Sequence, residues 1–161
     1  YQSTLYQALL DVSAWVEKGN APSKTSAYKI ENGQVQLLHN GKKRGGVQPV
    51  PYATIDGKER VEAKVGEEVS IHVVVEAPEN TGRIVAAEWC LDDSKQFTSP
   101  VDLSKAAFSD GGSRIEFEKV VSFDETGTYF PTVRVALQRE GDIEALYTKI
   151  QNLGKVRVVV K

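Results

Sequence analysis

The chain has 161 residues, of which 40% are hydrophobic and 26% charged, and its formal net charge is -2. This balance excludes a disordered chain and gives no reason to expect a nucleic acid or an anionic membrane as partner. A single Cys excludes an internal disulfide bond, and no stretch reaches the roughly 20 apolar residues of a membrane span.

Residues 4–18 have the period of an amphipathic helix. A stripe of apolar side chains recurs at intervals of three or four and would share one helix face. Its members are Leu5, Ala8, Leu9, Val12, Trp15 and Val16. Thr4 with Gln7 fits a capping box at the start, and Gly19 fits the position just past the end. A lone helix cannot bury such a stripe, so we expect it to dock on the rest of this chain, on a second copy or on another domain.

A small hairpin and a linker should follow this helix. Asn32-Gly33 lies between two short apolar-polar alternations and is a strong signal for a type I′ turn. The stretch 39–51 looks like a linker, and we interpret its basic cluster at 42–44 as solvated. We place a boundary near residue 46. Residues 1–46 would then be the tail of a missing upstream domain, and residues 47–161 a domain of their own.

From residue 47 the hydrophobic period changes to two, which indicates strands with one buried face. The segments with this period are 48–55, 60–65, 68–77, 83–91, 113–123, 128–138 and 155–161. About seven short strands predict a mainly β, immunoglobulin-like Greek-key β-sandwich. Trp89 would fill its core, and Tyr129 would form a tyrosine corner. A shift at Lys119 suggests a bulge, and Cys90, out of step with Trp89, should lie partly covered on the outer face.

Three of these segments resemble the polycystic-kidney-disease (PKD) repeat, an immunoglobulin-like sandwich. They are VGEEVSIHV at 65–73, IVAAEWCLDDS at 84–94 and TGTYFPTVRV at 126–135. The resemblance covers roughly residues 50–161. Cys90, Leu91 and Ser94 depart from the family pattern, which has Asp, an aromatic residue and Gly there. The resemblance implies an accessory domain in an extracellular, periplasmic or cell-surface protein.

The front of the chain carries a second resemblance. Residues 8–30, ALLDVSAWVEKGNAPSKTSAYKI, look like the C-terminal tail of large bacterial α/β-hydrolases of the tannase and feruloyl-esterase kind. This resemblance implies that a catalytic Ser, Asp and His would lie upstream. The chain has no Met and begins at Tyr1, which also predicts a fragment or a processed form of something longer.

The residue types that catalysis needs are not grouped in the sequence. His39 falls in the linker, His72 falls on the outer face of its strand, and no Gly-x-Ser-x-Gly elbow occurs. We therefore expect no catalytic residues and no cofactor. We also expect no metal site, and the weak candidates for one are Asp92 and Asp93, which are adjacent at the end of a strand.

Exposed aromatic side chains are the candidates for a ligand or partner surface. Phe130 alternates out of step with Tyr129, and Phe97 and Tyr147 fall in loops. The segment 139–154 is long for a connection between antiparallel strands. It could hold a helical turn packed on the end of the sandwich or serve as a loop that docks a partner.

Two functions fit this sequence. The first is a non-catalytic accessory module of a larger, secreted bacterial hydrolase-like protein, which contacts the upstream domain of the same polypeptide or another protein. The alternative is a carbohydrate- or polymer-binding module that would present Phe130 and Tyr147 to a polysaccharide. An independent enzyme is least favoured, because general acid-base and nucleophilic residues are not clustered.

Overall fold

The computed structural model describes residues 2–92 and 94–161. Two helices and a hairpin come first: α1 (Gln2–Lys18), β1 (Tyr28–Glu31), β2 (Gln34–Leu37) and α2 (Gly41–Arg44). The sandwich strands are β3 (Val50–Thr54), β4 (Arg60–Ala63), β5 (Val69–Glu76), β6 (Arg83–Cys90), β7 (Ser99–Pro100), β8 (Ala107–Ser109), β9 (Arg114–Val121), β10 (Gly127–Tyr129), β11 (Thr132–Gln138), β12 (Ile150–Lys155) and β13 (Arg157–Val160). No helix in these ranges is long and apolar enough to cross a membrane.

The strands form the predicted β-sandwich, and the chain crosses between its two layers. One layer is the sheet β3-β5-β9-β8, and the other is β12-β11-β6-β7 with the three-stranded sheet β10-β13-β4 at its end. All neighbours are antiparallel except β13 and β4, which run parallel with Arg157 opposite Arg60. Strands β5 and β6 are consecutive but lie in different layers, as a Greek key requires. The predicted class, a mainly β sandwich of immunoglobulin type, is confirmed.

The sandwich has more strands than the seven or so predicted, partly because one predicted strand, 128–138, is divided in two. It is divided between Tyr129 and Thr132, where Pro131 has no N–H for the ladder. In addition, β12 lies almost wholly in the segment 139–154, which was predicted to be a connection, and it is separated from β13 at Val156, whose N–H donates to the carbonyl of Pro131 at 3.3 Å. Both segments therefore pass between the main sheet and the three-stranded sheet at the same level.

The buried faces follow the two-residue period of the sequence. In β5, Ile71, Val73 and Val75 have no exposed surface, and the intervening residues lie on the outer face. Trp89 is 2% exposed and packs edge-on against Phe117, with ring centroids 6.3 Å apart. Alternation thus specifies which side of each sheet meets the other.

Two details of the strand predictions are wrong. Strand β9 pairs with β5 without interruption from Val121 to Arg114, so the described ladder has no bulge at Lys119. The side chain of Lys119 keeps the inward parity near the rim of the core, where a long stem can reach water. Cys90 is buried rather than partly covered, and its thiol contacts the Asp92 carbonyl oxygen at 3.1 Å.

The amino-terminal predictions also need two corrections. Helix α1 begins at Gln2, so Thr4 lies inside it and cannot be the cap. The predicted linker contains the one-turn helix α2, in which Asn40 Oδ1 accepts from the Lys43 N–H at 2.9 Å. The Gly41 N–H donates to Glu76 Oε2 at 2.7 Å, which holds α2 against β5. The predicted turn at Asn32-Gly33 is confirmed, since both residues have positive φ.

Tyr129 closes the corner that leads into β10. Its hydroxyl donates to the Glu125 carbonyl oxygen at 3.0 Å, and its ring stacks on Phe123 at 4.1 Å between centroids. The side chain therefore joins the turn before β10 to the edge of the core.

We expect Tyr129→Phe to lower the free energy of unfolding by about 1 kcal/mol, because it removes one hydrogen bond and keeps the stacked ring. Urea unfolding followed by circular dichroism measures this loss. Tyr28→Phe is the matched control, since Tyr28 is 60% exposed on the hairpin and should tolerate the change. Equal losses in both variants would show that the corner hydrogen bond does not stabilise the fold.

Candidate interaction surface

Helix α1 is held by its polar side. Gln7 and Asp11 are 4% and 7% exposed, although both are polar. Gln7 Nε2 donates to Asp11 Oδ1 at 2.9 Å, and Arg139 Nη1 lies 2.6 Å from the same oxygen. Arg139 directly follows β11, so this buried network fixes the helix to the end of the sandwich.

The apolar side of the same helix faces away from the chain. We call its exposed residues the helix stripe, and their exposed fractions are Leu5 52%, Leu9 60%, Val12 52%, Trp15 55% and Val16 79%. At 100° per residue, the stripe lies roughly 120–180° round the helix from the midpoint of Gln7 and Asp11, except for Trp15, which lies roughly 60° from it. The stripe was predicted to dock on the rest of this chain, on a second copy or on another domain. Because it is exposed, the first of these predictions is wrong for the described residues.

The loop at 139–149 continues this apolar surface. It contains no helix in the structure, so the predicted helical turn is wrong. Ile143, Leu146 and Tyr147 are 61%, 80% and 60% exposed. The ring of Tyr147 lies 5.8 Å from that of Tyr6, between centroids, which joins the loop to α1.

The β1–β2 hairpin presents a second apolar face. Tyr28 pairs with Leu37 and Ile30 pairs with Val35, so the four side chains share one side of the hairpin. We call these four residues the hairpin face. Each of them is at least 44% exposed. An isolated two-stranded hairpin is marginally stable in water, so a face of this kind calls for a covering layer.

A polar cleft of about 740 Å³ separates the end of α1 from the end of the sandwich. Asp11, Lys24, Lys42, Glu79 and Arg139 contribute its charged groups. The Nε atom of Arg139 is buried beside it without a hydrogen-bond partner. Helix α1 is therefore attached through a few polar contacts rather than through a continuous apolar interface.

The predicted ligand aromatics do not form one platform. The Arg134 guanidinium lies 4.5 Å from the Phe97 ring centroid, and Lys155 Nζ lies 5.7 Å from that of Phe130. Phe130 precedes β11 and Tyr147 follows it. Seven strand residues separate them along the sheet by roughly 20 Å. A single sugar ring could not stack on both.

Asp92 uses its carboxylate within its own turn. Its Oδ1 accepts from the Ser94 N–H at 3.1 Å and from the Ser94 hydroxyl, and these bonds hold the pKa of Asp92 below its ordinary value. Asp93, the other weak metal candidate, lies outside the described residues. Across residues 2–92 and 94–161, no three His, Cys, Asp or Glu side chains come together as metal ligands would.

The two His residues belong to separate surface contacts. His39 stacks on Tyr52, with centroids 4.1 Å apart, and its Nε2 lies 3.7 Å from Glu59. His72 Nε2 lies 3.4 Å from Glu116, whose pKa is held below its ordinary value mainly by Arg114. Neither of these contacts brings an imidazole together with a nucleophilic side chain.

Sequence reasoning missed Gln7 and Asp11 as docking residues. Their spacing of four on the polar side of a helix is a detectable signal for a side-chain pair. The alternation of Tyr28 with Ile30 and of Val35 with Leu37 was an equally readable sign of a one-sided hairpin. The partner of Asp11, Arg139, is 128 positions away and has no local signal.

No family model and no curated protein matches the chain. Among solved structures, it is similar to the PKD domain of an M14-like peptidase from Thermoplasmatales archaeon SCGC AB-540-F20. The identity is 15% and the TM-score 0.45, over 68% of this chain and 91% of that chain. Strand order, register and core packing define the sandwich. The relation of residues 8–30 to hydrolase tails stays a prediction.

Proposed function

We propose that this chain is a non-catalytic accessory module that attaches to another protein domain through the helix stripe and the neighbouring loop. The observation that carries the proposal is the orientation of α1. Asp11 and Gln7 are buried against Arg139, while Leu9 and Val16 on the other side are 60% and 79% exposed.

The energetics of α1 favour a partner. A helix of this length is marginal in water unless its apolar face is packed. The polar contacts of Asp11 and the ring contact between Tyr6 and Tyr147 tie α1 to the rest of the described chain, and neither covers the stripe. Contiguous apolar patches on soluble proteins commonly mark interaction sites, and here the patch continues through Tyr6 to Tyr147.

The placement of the reactive side chains supports a role without catalysis. The Cys90 thiol is buried against Asp92, His39 stacks on Tyr52, and His72 pairs with Glu116. Nucleophilic chemistry would need such groups within hydrogen-bond reach of one another. Polymer binding is less well supported, because Phe130 and Tyr147 lie at opposite ends of β11.

The proposal includes the setting that the sequence resemblances imply, which is a larger hydrolase-like protein outside the cytoplasm or at the cell surface. Residues 1–46 would then serve as the attachment segment and residues 47–161 as the rigid body. Such a module would position its partner rather than transform a substrate.

Site-specific photo-crosslinking in cells that make the natural polypeptide tests this function. A photo-reactive residue in place of Val16 should give a covalent protein adduct that disappears when Leu9→Lys is added. The matched control is the same residue in place of Val120, which is 55% exposed on the sandwich. Absence of an adduct at Val16, or equal adducts at both positions, would rule out the helix stripe as the docking surface.

A further inference from the structure

The chain carries two one-sided elements whose apolar faces do not meet. The helix stripe on α1 and the hairpin face on β1–β2 are both exposed. Each element is held by polar contacts on another side, α1 through Asp11 and the base of the hairpin through the Ala27 N–H, which donates to the Arg44 carbonyl oxygen at 2.6 Å.

The connection between the two elements is itself fixed. The Gly46 N–H donates to the Lys24 carbonyl oxygen at 3.1 Å, and with Ala27 this ties the connecting segment to α2 and the residues after it. Moving α1 onto its own hairpin would also separate Asp11 from Arg139. Both faces therefore stay exposed within one chain and can be covered by a surface from outside it.

The two faces match each other in size and chemistry. The stripe from Leu5 to Val16 spans about 17 Å at the helical rise, and a four-residue strand spans about 13 Å. A helix laid across a sheet face is a standard way to cover both.

We propose that the partner of these faces is a second copy of this chain. The helix stripe of each copy covers the hairpin face of the other about a twofold axis, so two equal interfaces form. This inference rests on the proposed function and names its partner. A second copy supplies both complementary faces at once, whereas an unrelated partner would have to supply a helix-like and a sheet-like surface together.

The available area suits a specific dimer. Nine side chains in each copy, all at least 44% exposed, hold on the order of 500 Å² of apolar surface. Two copies would bury on the order of 1,000 Å² of it before any rim is counted, which reaches the range of specific interfaces. Trp15 and Tyr28 would be the aromatic anchors, the residue types that most often dominate binding.

Sedimentation of the purified 161-residue chain tests the dimer, and charge variants test its arrangement. We expect a dimer in the wild type and a dissociation constant raised at least tenfold by Val16→Lys or by Ile30→Glu alone. A mixture of the two variants should recover dimers, because one interface is then wild-type and the other sets the introduced lysine opposite the introduced glutamate. Val120→Lys, on the sandwich, should leave the dimer unchanged.

Each outcome decides between the two proposals. A wild-type chain that stays monomeric up to about 1 mM overturns the dimer. If the mixture of the two variants does not restore dimers, the reciprocal helix-on-hairpin arrangement is wrong. A monomer whose Val16 still forms a stripe-dependent adduct with a different protein in cells leaves the accessory function standing. Unchanged circular dichroism in each variant shows that it folds.

Discussion

Trp89→Ala should lower the free energy of unfolding by about 3–5 kcal/mol, the cost typical of removing a buried aromatic side chain. The indole is 2% exposed between the two layers and packs against Phe117. Its removal leaves a cavity that residues on β5, β9 and β11 cannot fill without moving strands. Urea unfolding followed by circular dichroism measures the change.

Trp15 provides a matched control in the same chain. It is 55% exposed on the helix stripe, and Ala is a better helix former than Trp. We expect Trp15→Ala to change the free energy of unfolding by less than about 0.5 kcal/mol under dilute, monomeric conditions. Similar losses for both substitutions would contradict the assignment of Trp89 to the core. If Trp89→Ala does not fold, Trp89→Phe should show a smaller loss of the same kind.

Gly82→Ala should cost about 3 kcal/mol or more, which combines overpacking with a backbone angle that Ala resists. Gly82 has a φ of +122°, and an added Cβ would lie 2.3 Å from the Gln138 carbonyl oxygen and 2.5 Å from the Arg139 Cα. Both neighbours are backbone atoms and cannot rotate away. Thermal and urea unfolding should both register the loss.

Gly57→Ala separates the two causes. Gly57 has a φ of +74°, but an added Cβ meets no atom within 4 Å. We expect a loss of about 1 kcal/mol from the backbone angle alone. If the free energy of unfolding of Gly82→Ala is no lower than that of Gly57→Ala, the backbone at residue 82 lies farther from the end of β11 than these distances indicate.

Local patterns were enough to predict the sandwich but not its bends. The alternation of Ile71, Val73 and Val75 identifies a strand and its buried face, because side chains alternate across a pleated backbone. It does not show where a strand changes sheet. At Pro131 the missing N–H was a visible signal, whereas Val156 opposite it looks like any other core residue.

The interaction surface shows a different limit of sequence reasoning. Helical period identified the stripe, and it could not identify what covers the stripe, because that depends on the orientation of the whole helix. The orientation is set by Asp11 and Arg139, which are far apart in sequence. The capping pattern at Thr4 was misleading for a related reason. The helix begins at Gln2, and the polar side chain of Gln7 is used against Asp11 instead.

The parallel pairing of β4 with β13 bears on how the chain acquires its structure. Arg60 lies opposite Arg157, and Val158 and Val160 complete the core from this strand. A nascent chain that has reached residue 155 has its hairpins but not this closure. Such high contact order slows folding, so we expect the native state to form after residues 157–160 leave the ribosome, on a time scale of milliseconds to seconds.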